Sequence, residues 1–279
     1  ADLLFTRDGD YFVETTILIK NGASSTKKFK IIIGDAKTSA QRTISDYQAR
    51  IVNLKSEIAR FPAWIKTELE QKIKIAELEA NLNDIKREYE AIGNNATEEK
   101  YGGIVNKLLV LNIPLSIAVI EQGKLPLEIG FSKINVNHIA EISGIPVEDE
   151  ETLKNSVLQW MSENYGGEIE FEKIASIADE ENTGVLNKYK ITVSKKKSDD
   201  KAAYLIINHP LSSLKIGSLQ EGKSIGTDSA TYFVLNAETE NIEFLISGSA
   251  PPNIEDLGLY ISPVLSDLGA SGKPFADDL

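Results

Sequence analysis

The sequence predicts an α+β fold: a β-rich body with an inserted two-helix antiparallel coiled-coil hairpin, and a second, smaller α+β domain. Three observations lead there. Residues 10–34 are rich in β-branched and aromatic side chains. Apolar residues then recur at alternating spacings of three and four as far as Ile92. Beyond that, short apolar runs alternate with Gly, Pro and Asn punctuation.

Taken in order, Asp10–Lys20 reads as a strand, Asn21-Gly22 opens a turn, and Lys27–Ile33 returns. Together they predict a β-hairpin over residues 10–34 with its loop at about Asn21–Thr26. Thr38 and Gln41 form a T-x-x-Q capping box. Ile44, Tyr47, Ile51, Leu54, Ile58 and Phe61 follow at helical spacing, and Pro62 interrupts. A second series, Ile75, Leu78, Leu82, Ile85, Tyr89 and Ile92, ends at Gly93-Asn94-Asn95. The two series are out of phase, and the slip falls between Pro62 and Ile75. A helical hairpin turning near Arg60–Trp64 explains it; the alternative is one kinked helix of about 80 Å. Ile44, Tyr47, Ile51, Leu54, Leu78, Leu82, Ile85 and Tyr89 are the candidate interaction residues if the hairpin protrudes towards a partner. If the pair lies on the chain's own sheet, the same stripes are core.

Strand patterns resume at Ile104–Leu111, Leu115–Ile120 and Leu125–Phe131, punctuated by Pro114 and Gly123. The simplest division places a β-rich domain at residues 1–37 and 101–145, with residues 38–100 inserted as the helical hairpin. Residues 146–247 form the α+β domain. Acidic residues at 148–151 lead into Leu153, Val157, Trp160 and Met161, a helix with acid in its first turn and Gly166-Gly167 beyond its end. Glu168–Ile177 and Val185–Lys196 flank Glu180–Gly184 as a second hairpin, and further strands fall at Ala203–Asn208, Thr231–Asn236 and Ile242–Ser247. Residues 248–279 are dominated by Pro, Gly, Ser and Asp and cannot build a core alone. They read as a C-terminal arm, either disordered or lying on its own domain or a neighbouring subunit.

Composition narrows the function. With 42% hydrophobic and 26% charged residues the chain is globular, and 279 residues suffice for one large core or two ordinary ones. The longest apolar run, Leu108–Ile120, is broken by Asn112 and Pro114 and falls short of the ~20 residues a membrane span needs. A net charge of −12 argues against nucleic-acid binding, which gains affinity by neutralising phosphates. No arginine follows Arg87, which weighs against phosphoryl transfer in the rest of the chain. There is no cysteine, so disulfides, thiolate metal sites and cysteine nucleophiles are excluded. The chain starts at Ala1, compatible with a processed start or a cleaved leader.

One motif is complete. Residues 217–224, GSLQEGKS, match G-x-x-x-x-G-K-[ST], placing Gly217, Gly222, Lys223 and Ser224 as a candidate phosphate loop. That chemistry needs a strand before the loop and a helix after it, so that the helix N-terminus and loop amides cradle the phosphates. After Ser224 comes Ile-Gly-Thr-Asp-Ser-Ala-Thr, with no helical stripe, so the motif reads as a loop between strands. His138 and His209 have no His or Cys neighbour at metal-ligand spacing and read as structural. The stretch Asp179–Gly184 mimics the start of a calcium loop, but its twelfth position is Lys190 where a bidentate Glu is required. Glu168, Glu170 and Glu172 share one strand face, and Lys188 and Lys190 on the next predicted strand can pair with them across it.

The sequence therefore predicts a protein that is not an enzyme and needs no metal or cofactor. It is expected to act through protein partners as a homo-oligomer or larger assembly, for example as a virion component (capsid accessory, fibre or tail) or a surface-appendage subunit. A virion or extracellular setting is favoured over the cytoplasm. The alternatives are a nucleotide-binding protein using residues 217–224 and a secreted ligand-binding module.

Overall fold

The computed structural model describes residues 9–18, 24–93, 97–128, 130–143, 147–178, 182–197, 203–217, 224–246 and 257–263. The chain is a mixed helix-and-sheet protein with antiparallel sheets. It divides into two compact units, Ala1–Ala118 with Ser176–Thr183, and Val119–Ala175 with Gly184–Leu279.

In the first unit β1 (Gly9–Leu18) and β2 (Ser24–Ile33) pair antiparallel, Gly9 opposite Ile33 and Leu18 opposite Ser24. Asn21-Gly22 lies outside the described residues. Since β2 begins at Ser24, the strand takes in residues expected in the loop. Among the described residues these two strands form a sheet of their own and share no ladder with β3 (Ser116–Pro126).

Helix α1 (Ala36–Ile58) starts before the expected box. Its cap is Asp35, whose carboxylate accepts from Lys37 N (3.2 Å) and Thr38 N (3.1 Å) and from Thr38 Oγ1 (2.5 Å). Thr38 occupies the third helical position, and a carboxylate facing several orphan amides outcompetes a hydroxyl cap. The Thr38 hydroxyl and amide hold the Asp35 carboxyl down at about 2, against an ordinary 3.8. A carboxyl depressed by folding stabilises the fold above its unfolded value, and that contribution is lost as pH falls through the folded value. Helicity followed by circular dichroism is therefore expected to show a loss between about pH 4 and pH 2. Asp35→Asn, which keeps the cap and removes the titration, is expected to flatten that component.

Pro62 caps α2 (Ala63–Ile73), where its missing N–H leaves no helical bond unmade. Lys74, left-handed at φ 57°, separates α2 from α3 (Ile75–Ile92). The interval in which the two apolar stripes slip is therefore a helix with its own buried residues, Ile65 and Leu69. α4 (Glu98–Val110) replaces the expected strand at Ile104–Leu111. Its buried residues, Tyr101, Ile104, Val105 and Leu108, follow i, i+3, i+4, i+7, a helical period that becomes visible only when counting starts at Tyr101.

Helices α1, α3 and α4 form a bundle. Lys55 on the last turn of α1 meets Glu79 near the start of α3 at 2.6 Å. Tyr101 Oη donates to Gly93 O (2.7 Å), just past the end of α3, and Tyr101 lies 5.7 Å from Tyr89. Ala36 N donates to Glu98 Oε2 (3.0 Å), and Arg50 donates to Ile113 O (3.2 Å). Thus α1 and α4 run parallel, with α3 antiparallel to both.

The second unit contains α5 (Val136–Ser143), α6 (Glu150–Asn164) and two sheets. Residues Asp149 and Thr152 cap α6, the Thr152 amide donating to Asp149 Oδ1 at 3.1 Å. The larger sheet has the order β3, β4 (Tyr165–Ile177), β5 (Asn182–Lys195), β10 (Thr239–Ile246), β7 (Leu214–Ile216). The smaller has the order β11 (Leu259–Pro263), β6 (Ala203–Ile207), β9 (Thr231–Leu235), β8 (Ser224–Gly226).

Alternation explains the layering. In β6, Leu205 and Ile207 face a core shared with Ile191, Val193 and Phe244 of the larger sheet. Ile206 faces the other way, with Tyr232 and Tyr260, onto Leu153 and Val157 of α6 and Ile139 of α5. Strands β6, β9 and β11 are thus buried on both faces, which is why they read as near-continuous apolar runs. Burying each such side chain contributes about 1.5–3 kcal/mol before ordering entropy is counted. β11 lies inside the segment expected as an arm. Five buried residues pair Leu259–Pro263 with β6, so this part of residues 248–279 is a core strand; residues 264–279 lie outside the described residues.

Candidate interaction surface

The helical stripe does not supply this surface. Ile44, Tyr47, Ile51, Leu54, Leu82 and Ile85 are at most 8% exposed inside the bundle, and Leu78 and Tyr89 are half-buried. α4, expected as a strand, completes their cover. The apolar period records burial within the chain's own bundle.

GSLQEGKS is described only at its two ends. Gly217 donates its N–H to Glu243 O (2.8 Å) as the chain leaves β7, and Ser224 opens β8 opposite Phe233. Gly222 and Lys223 lie outside the described residues. Ser224 begins a strand, so no helix N-terminus faces the loop from that side.

His138 is buried and positional. With Nδ1 donating to Asn208 Oδ1 (2.9 Å), Nε2 accepts from Asn135 Nδ2 (3.2 Å). Asn208 also donates to Lys133 O (3.2 Å), Tyr260 Oη to Asn135 O (3.0 Å) and Tyr232 Oη to His138 O (3.2 Å). Burial pushes the Tyr232 phenol up to about 12, aided by the Glu141 carboxylate, and drives Tyr260 higher still. Both phenols therefore stay protonated donors, and the network docks α5 onto the smaller sheet. His209 is half-buried, and its Nε2 has no hydrogen-bond partner among the described residues.

Glu170 and Glu172 pair across the strands as charge alternation implies, whereas Glu168 pairs with Lys124 of β3. Lys188 meets Glu172 (3.2 Å), Lys190 meets Glu170 (3.4 Å), and Lys124 reaches Glu168 (2.6 Å) and Glu170 (3.6 Å). Lys190 first, then Lys124, holds the Glu170 carboxyl below its ordinary range. These carboxylates are ion-paired on a wet sheet face. Among the described residues no group of His, Asp and Glu could hold a metal ion.

The surface that stands out is the edge of the larger sheet. Among the described residues β3 has β4 as its one ladder neighbour. From Val119 to Pro126 every residue except Gly123 is exposed, including Val119 (40%), Ile120 (42%) and Leu125 (46%). Gly123, expected to punctuate two strands, sits within one. The Phe171 ring of β4 lies over it, so close that a Cβ there would come within 2.3 Å of Phe171 Cε1. The Glu121–Lys173 pair (3.9 Å) and the Leu127 N–H bond to Gly167 O (2.9 Å) keep the same pairing with β4. Bonds to β4 therefore fall on odd-numbered residues, and Ile120, Gln122 and Lys124 direct their backbone groups to the outer edge. Pro126 shares that parity, where its missing N–H breaks no ladder bond.

Sequence reasoning missed this surface because edge position depends on which strands pair. The available signal was Val119-Ile120-Glu121-Gln122, which lacks the apolar-in, polar-out alternation of a strand covered on one face. No protein family, curated protein or solved structure matches this chain.

Proposed function

We propose that this protein is a non-enzymatic structural or assembly protein working through protein–protein contacts as part of a homo-oligomer or larger assembly. A virion component or a surface-appendage subunit, in a virion or extracellular setting, fits that role. The observation that carries the reading is the exposed β3 edge with Val119, Ile120 and Leu125 on it. Monomeric proteins blunt such edges with charge, proline, short length or a covering element; β3 carries Glu121, Lys124 and Pro126, yet it is long and keeps three exposed apolar side chains. An eleven-residue strand with apolar residues on both faces is suited to receive another strand, its backbone groups giving affinity and its side chains specificity. The test is size-exclusion chromatography with light scattering on the full chain. Self-association or assembly is expected, and a strict monomer at high concentration would overturn the reading.

A further inference from the structure

We propose that the occupant of the β3 edge is β3 of a second copy, paired antiparallel about a two-fold axis through Gln122; this rests on the assembly reading above. The geometry narrows the register severely. Joining two copies of one edge into a continuous sheet requires a two-fold axis normal to the sheet, which keeps each residue on its own face. Directly opposite residues share a face, so only residues of equal parity can be paired.

Four registers centre on the middle of the exposed stretch, at Glu121, Gln122, Gly123 and Lys124. Centring on Glu121 sets two carboxylates opposite each other, and centring on Lys124 sets two ammonium groups opposite, both unfavourable. Centring on Gly123 sets Glu121 against Leu125. Centring on Gln122 sets Val119 against Leu125 twice, Ile120 against Lys124, Glu121 against Gly123, and Gln122 against itself. Centring on Val119 or Ile120 opposes that residue to itself but leaves Leu125 with no partner in β3, so the Gln122 register alone pairs Val119 with Leu125, and it opposes no like charges. Val119 and Leu125 then occupy non-hydrogen-bonded sites, where opposed side chains approach most closely. Gln122, with backbone groups facing the outer edge, exchanges both hydrogen bonds with its own copy.

The ladder engages about seven residues a side, against the roughly 20–30 of a standard interface, so the dimer is weak and concentration-dependent. Sedimentation velocity of the full chain over a roughly hundredfold concentration range is expected to show a monomer–dimer equilibrium. Val119→Lys with Leu125→Lys opposes two lysine pairs and is expected to weaken the dimer by about tenfold or more. Val119→Lys with Leu125→Glu opposes lysine to glutamate and is expected to restore it, which no other register predicts. All these positions are exposed, so the variants fold, and circular dichroism checks this. The chain has no cysteine, so Gln122→Cys provides a single thiol. Opposed across a hydrogen-bonded pair at about 5.5 Å between Cα atoms, two such thiols lie within disulfide range. Oxidation is expected to yield a covalent dimer. An oligomer indifferent to both double variants overturns this inference and leaves the assembly reading standing. A strict monomer overturns both.

Discussion

Phe244→Ala is expected to remove about 3–5 kcal/mol of stability, the largest effect of a single substitution in the second unit. Phe244 is fully buried on the inner face of β10, opposite Tyr189 of β5 on one side and Ile216 of β7 on the other. Its ring stacks on Tyr189 at 5.4 Å with planes 21° apart. Truncation removes apolar area, leaves a cavity between two sheets that cannot close over it, and ends a ring pair worth about 0.5–1.5 kcal/mol beyond its area. Domains are stable by only about 5–15 kcal/mol, so the variant is expected to unfold at much lower urea concentration. Phe244→Leu keeps most of the volume and is expected to lose distinctly less. A loss below about 1 kcal/mol for the alanine variant would mean that the two sheets do not pack against each other at this point.

Leu54→Ala is expected to cost about 2–5 kcal/mol, this time in the helical bundle. Leu54 is completely buried on α1, in the stripe with Ile51 and Ile58 that α3 and α4 cover. The experiment separates two roles for the same residue. A core residue loses stability when truncated, and the loss appears in urea denaturation of dilute protein. A residue held out to a partner leaves the isolated chain's stability within about 0.5 kcal/mol and weakens association instead. The first outcome is expected. Unchanged stability with weakened assembly would return the stripe to the role of a contact surface.

How far the sequence was legible depended on how local each cause is. The 3-4 spacing from Ile44 to Ile58 and from Ile75 to Ile92 arises within single helices, and those helices form where the spacing lies. Glu168, Glu170, Lys188 and Lys190 could be placed on facing strands because charge alternation shows on each strand by itself. Ile104–Leu111 misled because a short apolar run fits a strand or a buried helix face equally, and Tyr101, which decides the period, lay outside it. The Thr38 box failed because Asp35, three residues upstream, was the stronger cap. Leu259–Pro263 sat among Pro, Gly and Asp, and only its pairing with β6 makes it core. The β3 edge left only the unalternating Val119–Gln122 as a local trace, because being at an edge is a relation between strands far apart in the chain.

The position of β11 also bears on how the protein is made. β6 is laid down at residues 203–207, yet one of its two ladder neighbours is the last described strand, ending at Pro263. While the ribosome adds the intervening residues, the apolar backbone of β6 lacks its partner on that side. The sheet cannot close until Leu259–Pro263 has left the exit tunnel, so its completion waits on the whole stretch made after β6. Any chain terminated before Leu259 would present β6 as a permanently open apolar edge, a species that quality control, rather than folding, must remove.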